Sequence, residues 1–165
     1  MSTFRSDVGV TSDAQSHGFG AVIGWLAYLA AIAAPIFLRI ALAIPFFRSG
    51  LTKWDGLSLS TSATYLFANE FKLHIFGAAY NFPLPNVAAL LSAYDEIVFP
   101  IILVLELATR FTALDILAMT TVIQLVVPDG WLTYHLPWAA MALALIALGP
   151  GALSLDRLVV RFTGA

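Results

Sequence analysis

Apolar residues dominate four stretches of the chain, and each is close to the length a bilayer requires. An α-helix needs about 20 mostly apolar residues to cross the hydrocarbon layer. Residues 20–47, 86–106, 112–127 and 131–148 satisfy or approach this. Pro35 and Pro45 interrupt the first stretch and Pro100 the second. A span tolerates proline where neighbouring helices satisfy the carbonyls it frees. The third stretch is short, and Arg110 can lengthen it by snorkelling to the interface. Gly149-Pro150-Gly151 stops the fourth. The pattern predicts an all-α integral membrane protein, a four-helix transmembrane bundle over residues 20–158. Residues 1–19 are rich in Ser and Gly, with no basic segment ahead of an apolar core. They read as a mobile tail and not as a signal peptide. Residues 159–165 form a second tail.

The connection 48–85 is long and carries its own pattern. Ser60, Thr61 or Ser62 can cap a helix through TYLFANEFKL, with Leu66, Phe67, Phe71 and Leu73 on one face and Asn69, Glu70 and Lys72 on the other. This predicts a short amphipathic helix over 61–73, lying on the membrane or lidding the bundle. The remaining connections are tight, so spans two to four are antiparallel neighbours.

Composition agrees with the pattern. Charged residues make up 11% of the chain, against about 25% in soluble domains, and mean hydropathy is +0.88. The expected partner is the lipid bilayer. A net charge of −2 gives no basic surface for nucleic acid. Without cysteine the chain cannot exchange disulfides or ligate an iron–sulfur cluster through its own thiolates. An even number of spans puts both termini on the side of Arg5, Arg110, Arg157 and Arg161, facing Arg48, Lys53 and Lys72 across the membrane. The excess of basic residues predicts cytoplasmic termini in a plasma (inner) membrane.

Charges inside the spans are the candidate chemistry, because a charge at the bilayer centre costs about 2.5–3.5 kcal/mol on insertion scales. Taking Phe47 and Asn86 as the ends of spans one and two, Arg39 lies about 12 Å deep and Glu96 about 15 Å deep. Asp95 is one residue shallower. Matched depth predicts a buried Arg39–Glu96 pair. Ser92, Asp95 and Glu96 share a face of span two. Thr120, Thr121 and Gln124 form a polar stripe on span three, and His135 stands at the mouth of span four. These residues predict an outward-opening polar pocket. A purely structural role, fixing helix register, is the competing reading for the ion pair. Trp131, Tyr134 and Trp138 fit an aromatic belt, with ligand stacking as the alternative for Trp138. No metal-ligand spacing is present. His74 and His135 lie on one side, so a haem or metal role for them stays open, as does oligomeric state.

The same segments carry a resemblance. LRIALAIPFFRSGLTKW (38–54) has an Arg followed by a Phe-x-Ser-Gly-x-x-Lys pattern. YLFANEF (65–71), the Pro-x-x-Ala-Ala stretch from Pro85, the intramembrane Glu96, the Thr109-Arg110 turn, TTVIQLVVPDGWLTYHLPWA (120–139) and GPGALSLDRL (149–158) follow in order. Together they resemble the DoxX family of small membrane proteins. One departure is Glu106, where the family pattern leads one to expect Gly; a Glu106–Arg110 contact would compensate. The resemblance implies an inner-membrane four-helix protein related to the small subunit of a thiosulfate:quinone oxidoreductase, or to redox-stress and sulfur-handling complexes. On that reading quinone is the cofactor, a redox protein or subunit is the partner, Arg39 or Gln124 donates to a quinone carbonyl, and Glu96 handles the proton. The alternative is a non-enzymatic scaffold, or a carrier of small solutes or metals, with an anion held at Arg39 and Arg48.

Overall fold

The computed structural model describes residues 10–149, with side chains from Gly20 onward. The expected C-terminal tail, the segment after Gly149 and the first nine residues lie outside the described residues. Four stretches are long and apolar enough to cross a membrane: Gly20–Leu51, Pro85–Val104, Thr109–Val126 and Pro128–Leu148. They belong to helices α1 (Val10–Leu51), α3 (Pro85–Val104), α4 (Thr109–Val126) and α5 (Leu136–Leu148). A 3₁₀ turn at Pro128–Gly130 and a wide π-type turn at Trp131–His135 lead into α5.

Helix α1 starts inside the stretch expected to be a tail. The chain falls into two units that divide within α1: residues up to Ala34, and Pro35 onward. In the first, Val22, Trp25, Leu26 and Tyr28 are exposed, as lipid-facing residues are, and Trp25 meets Tyr28 edge to face. In the second, Leu42 and Phe46 of α1, Leu103 of α3, Ala113 and Ile116 of α4, and Ala142 and Leu145 of α5 form the buried core. Each contributing pair is spaced three or four residues apart, one face of a helix.

The connection 52–84 differs from expectation. It holds two antiparallel hairpins and a shorter helix. In the first hairpin β1 (Trp54–Asp55) pairs with β2 (Ser58–Leu59). Gly56, with φ +63°, opens its two-residue turn as a type II′ turn requires. Helix α2 (Thr61–Tyr65) is capped by Ser60, whose Oγ accepts from the Ala63 N–H at 3.1 Å. It runs into a π turn, Leu66–Glu70, closed by the Phe71 N–H donating to the Leu66 carbonyl at 2.8 Å. From Lys72 the chain is extended: β3 (Lys72–Ile75) pairs with β4 (Ala78–Asn81). The amphipathic helix therefore ends at Glu70 instead of residue 73. Phe76 and Gly77, at φ +51° and +81°, make the tight turn between the strands.

The turn between α3 and α4 falls at Leu105–Ala108, where Glu106 and Ala108 adopt positive φ. Thr109 and Arg110, expected to form this turn, are the first residues of α4.

Candidate functional site

The register of α1 against α3 decides which charges meet. Gly50 touches α3 so closely that a Cβ there would lie 2.9 Å from the backbone carbon and oxygen of Glu96. Pro100 contributes to this contact, since it leaves the Glu96 carbonyl without its i+4 donor. At the other end of the shared interface Arg39 Nη1 bonds Glu106 Oε1 at 2.5 Å. Residues 39–50 thus run antiparallel to 96–106, and Phe47 lies level with about residue 98. Matching the ends of the hydrophobic runs places it level with residue 86, a slip of about 12 residues or about 18 Å. The part of α3 beyond the end of α1 is covered by the connection: Trp54 Nε1 donates to the Ala93 carbonyl at 3.2 Å and its ring packs on Tyr94.

The expected Arg39–Glu96 pair is therefore replaced by two others. Arg39 is 2% exposed and bonds Glu106, with a longer contact of 3.4 Å to the Gly149 carbonyl. Glu106 is engaged by Arg39 and not by Arg110, whose guanidinium lies against Gly149. Glu96 takes Lys53 as its partner, Nζ to Oε2 at 2.5 Å, and its Oε1 accepts from Ser92 Oγ at 2.9 Å. Lys53 also donates to Ser49 Oγ at 3.1 Å. The Ser-Gly-x-x-Lys pattern thereby acquires a physical content. Gly50 lets the backbones meet, while Ser49 and Lys53 form the polar frame that takes Glu96 out of isolation.

Beside this frame lies a cavity of about 500 Å³, within the range of small-molecule sites. Its walls are apolar and aromatic, with Phe46 of α1, Met119, Val122 and Ile123 of α4, and Trp138 of α5. Phe67, Phe71 and Phe82 of the connection line it as well. The Phe67 ring contacts those of Phe71 and Phe82 at 5.1 and 5.2 Å, so the connection lids the bundle. Ser49, Lys53, Ser92, Asp95, Glu96 and Asp115 supply the polar lining.

Of the residues expected at the pocket, Ser92, Asp95, Glu96 and Trp138 line this cavity. The others do not. Thr120 and Thr121 bond back to the carbonyls of Ile116 and Leu117 in their own helix. His135 Nδ1 donates to Gln124 Oε1 at 2.6 Å, and Gln124 Nε2 to the Pro128 carbonyl at 3.0 Å. They fasten the α4–α5 connection, where Gly130 backs onto the His135 ring. His74 Nδ1 bonds the Leu125 carbonyl separately. Among the described residues no group of three or more His, Asp or Glu is placed to hold a metal ion. Arg48 is exposed, and Arg39 belongs to the other end of the shared interface. Trp138 packs on Phe46, while Trp131 and Tyr134 stay exposed. Sequence reasoning missed Lys53, which counts as a loop charge until the register is known. It also missed Asp115, a carboxylate inside FTALDILAM that the argument applied to Asp95 and Glu96 singles out equally.

Four apolar helices of spanning length define a multi-pass membrane protein. The chain belongs to the DoxX family, whose model matches residues 34–129. A relative in Haemophilus influenzae, described as an uncharacterized protein, is 32% identical over 132 residues, covering 75% of this chain and 82% of its own length. No solved structure matches.

Proposed function

We propose that this chain is the membrane subunit of a quinone-linked redox complex of the plasma (inner) membrane, and that its cavity binds the headgroup of a quinone-class molecule. The supporting observation is the cavity itself: aromatic and aliphatic walls for a ring and the start of an apolar tail, with ionisable groups among the lining. Quinone-class molecules combine an apolar body with a proton-exchanging head, and the lining has both kinds of partner. Lys53 and Ser49 offer donors near a ring oxygen; Glu96, Asp95 and Asp115 offer acceptors and proton sites. When bound, the quinone would supply the two-electron chemistry. The chain's residues would orient the ring, exclude water through Phe67, Phe71 and Phe82, and hold protons at the carboxylates. The absence of cysteine leaves electron delivery to a partner protein, which would dock on the 52–84 connection. Both termini would then be cytoplasmic and the lid on the opposite side.

The test is a lipid extract of the purified protein, together with alkylation of a Ser92→Cys variant, which has a single thiol because the chain has no cysteine of its own. Quinone in the extract, and slower alkylation when a decyl-tailed benzoquinone or its quinol is added, are expected. An extract free of quinone, with alkylation indifferent to both compounds, would remove the proposal and favour the scaffold reading.

A further inference from the structure

Part of the cavity wall is also part of the protein's outer surface. Leu91 lines the cavity yet is 57% exposed, and Val122 lines it at 45% exposure. Ala118, one turn before Val122, lines it and is exposed as well. Helix geometry accounts for this double membership. Leu91 lies two residues from Ala89 and from Ala93, both buried, which puts it about 160° round α3 from the face turned to the bundle. Ala118 stands in the same relation on α4 to the buried Ile116 and Thr120. Leu91 continues an exposed apolar stripe with Val87 and Val98, and Ala118 one with Leu114 and Val122. In a spanning helix such a stripe meets lipid. The lining of each helix also has an inner limit, Glu96 on α3 and Ile123 on α4. The cavity therefore passes between these two neighbouring helices, from the bundle interior to their lipid-facing side. Counted from Pro85 and Val126, the lid-side ends of α3 and α4, Leu91, Val122 and Ala118 lie about 9, 6 and 12 Å down. Half of a hydrocarbon core is about 15 Å, so this rim falls within one leaflet.

We infer that the cavity opens sideways to the bilayer between α3 and α4, and that its ligand is a lipid-dissolved molecule which enters through a mouth rimmed by Leu91, Ala118 and Val122 and leaves its apolar chain lying there. This rests on the reading of the cavity as a binding site, though not on the ligand being a quinone. The two sides of the cavity suit the two parts of such a molecule. Toward water the Phe67 ring packs on Phe71 and Phe82, which shuts out solvent. Toward lipid the rim is aliphatic, and Ala118, with no atom beyond Cβ, leaves width for a chain. A molecule entering through the lid would carry its chain across water. One entering between α3 and α4 keeps the chain in apolar surroundings throughout, while its head reaches the polar frame of Ser49, Lys53 and Glu96 at the inner side.

The experiment measures alkylation of the full chain carrying Ser92→Cys, in nanodiscs, by two reagents in separate runs. One is a decyl maleimide, which partitions into the bilayer; the other is a sulfonated maleimide, confined to water. Ala118→Trp in this background should slow the decyl reagent at least about tenfold and leave the sulfonated one unchanged. Val122→Trp should do the same, and decides the matter where Ala118→Trp fails to fold. Leu114→Trp, one turn from Ala118 on the same exposed stripe and outside the lining, should change neither rate. A thiol that the decyl reagent does not reach, rates unchanged in the folded rim variants, slowing of both reagents alike, or equal slowing by Leu114→Trp overturns the inference. The decyl maleimide carries no quinone, so the two readings fail separately. A rim effect without protection by quinone overturns the quinone reading alone, and protection by quinone without a rim effect overturns the lateral mouth alone.

Discussion

The Arg39–Glu106 bond is open to a double-mutant cycle that tests the helix register as well as the pair. Arg39 is buried, at 2% side-chain exposure, and Glu106 is 14% exposed. Replacing Arg39 by Met removes the donor at 2.5 Å and leaves Glu106 charged in a mostly apolar setting. Removing one partner of a buried pair costs about 3–5 kcal/mol, and replacing both by apolar residues is often nearly neutral. The residual exposure of Glu106 places Arg39→Met at the low end, about 3 kcal/mol. Glu106→Met strands the more deeply buried guanidinium, whose remaining contact is the 3.4 Å one to the Gly149 carbonyl, and should cost at least as much. The double variant should recover most of either loss, so nearly all of both single costs appears as coupling, about 5 kcal/mol, above the usual range for contacting residues because each single change strands a buried charge. The assay is reversible unfolding in mixed micelles titrated with sodium dodecyl sulfate, followed by circular dichroism. The same cycle on Arg39 and Glu96 should be additive within about 0.5 kcal/mol, since Glu96 is held by Lys53 and Ser92. Coupling between Arg39 and Glu96, with additivity between Arg39 and Glu106, would refute the register and every placement built on it.

Gly50→Ala should destabilise the bundle by about 1–3 kcal/mol in the same assay despite the better helix propensity of Ala, because beside the Ile97 side chain, which can move, the clashing atoms are the Glu96 backbone carbon and oxygen, which cannot rotate away. An unchanged or raised midpoint would show that α1 and α3 are not in that contact. Glu106→Gly should relieve the positive φ yet lose the bond to Arg39; a net loss of about 2 kcal/mol is expected, and a net gain would mean that backbone strain outweighs the pair. Phe67→Ala in the Ser92→Cys background should raise the rate of alkylation by a water-soluble reagent, and an unchanged rate would remove the lid. Reporter fusions at Ala165 and near Ser60 should report opposite sides of the membrane, as four spans require; the same side for both would reject that count.

The number of spans and the membrane setting were legible in the sequence, because a bilayer imposes a length and a composition on each helix whatever it packs against. The capping at Ser60 was legible for a similar reason, a local bond between residues three apart. The lid was legible in part: the apolar face of residues 66–71 was visible, whereas its ending at Glu70 in a β-hairpin depends on strand pairing at a distance. The partners of the charges were not legible. Hydrophobic runs mark where helices enter apolar surroundings, but two helices need not begin at the same depth, and α1 reaches α3 about 12 residues further along than their ends suggest. That offset is set by contacts no single segment contains: the Gly50–Glu96 backbone approach, the Trp54 bond to Ala93, and the covering of the first turns of α3 by the connection. It turns Lys53 from a loop charge into the partner of Glu96 and sends Arg39 to Glu106. It leaves Thr120, Thr121, Gln124 and His135, polar residues on spanning helices, to satisfy their own helices and turns. Sequence determined which residues must be inside the membrane; only the tertiary structure decided which of them meet, since pairing depends on helix register, and a slip of three helical turns leaves every local preference satisfied.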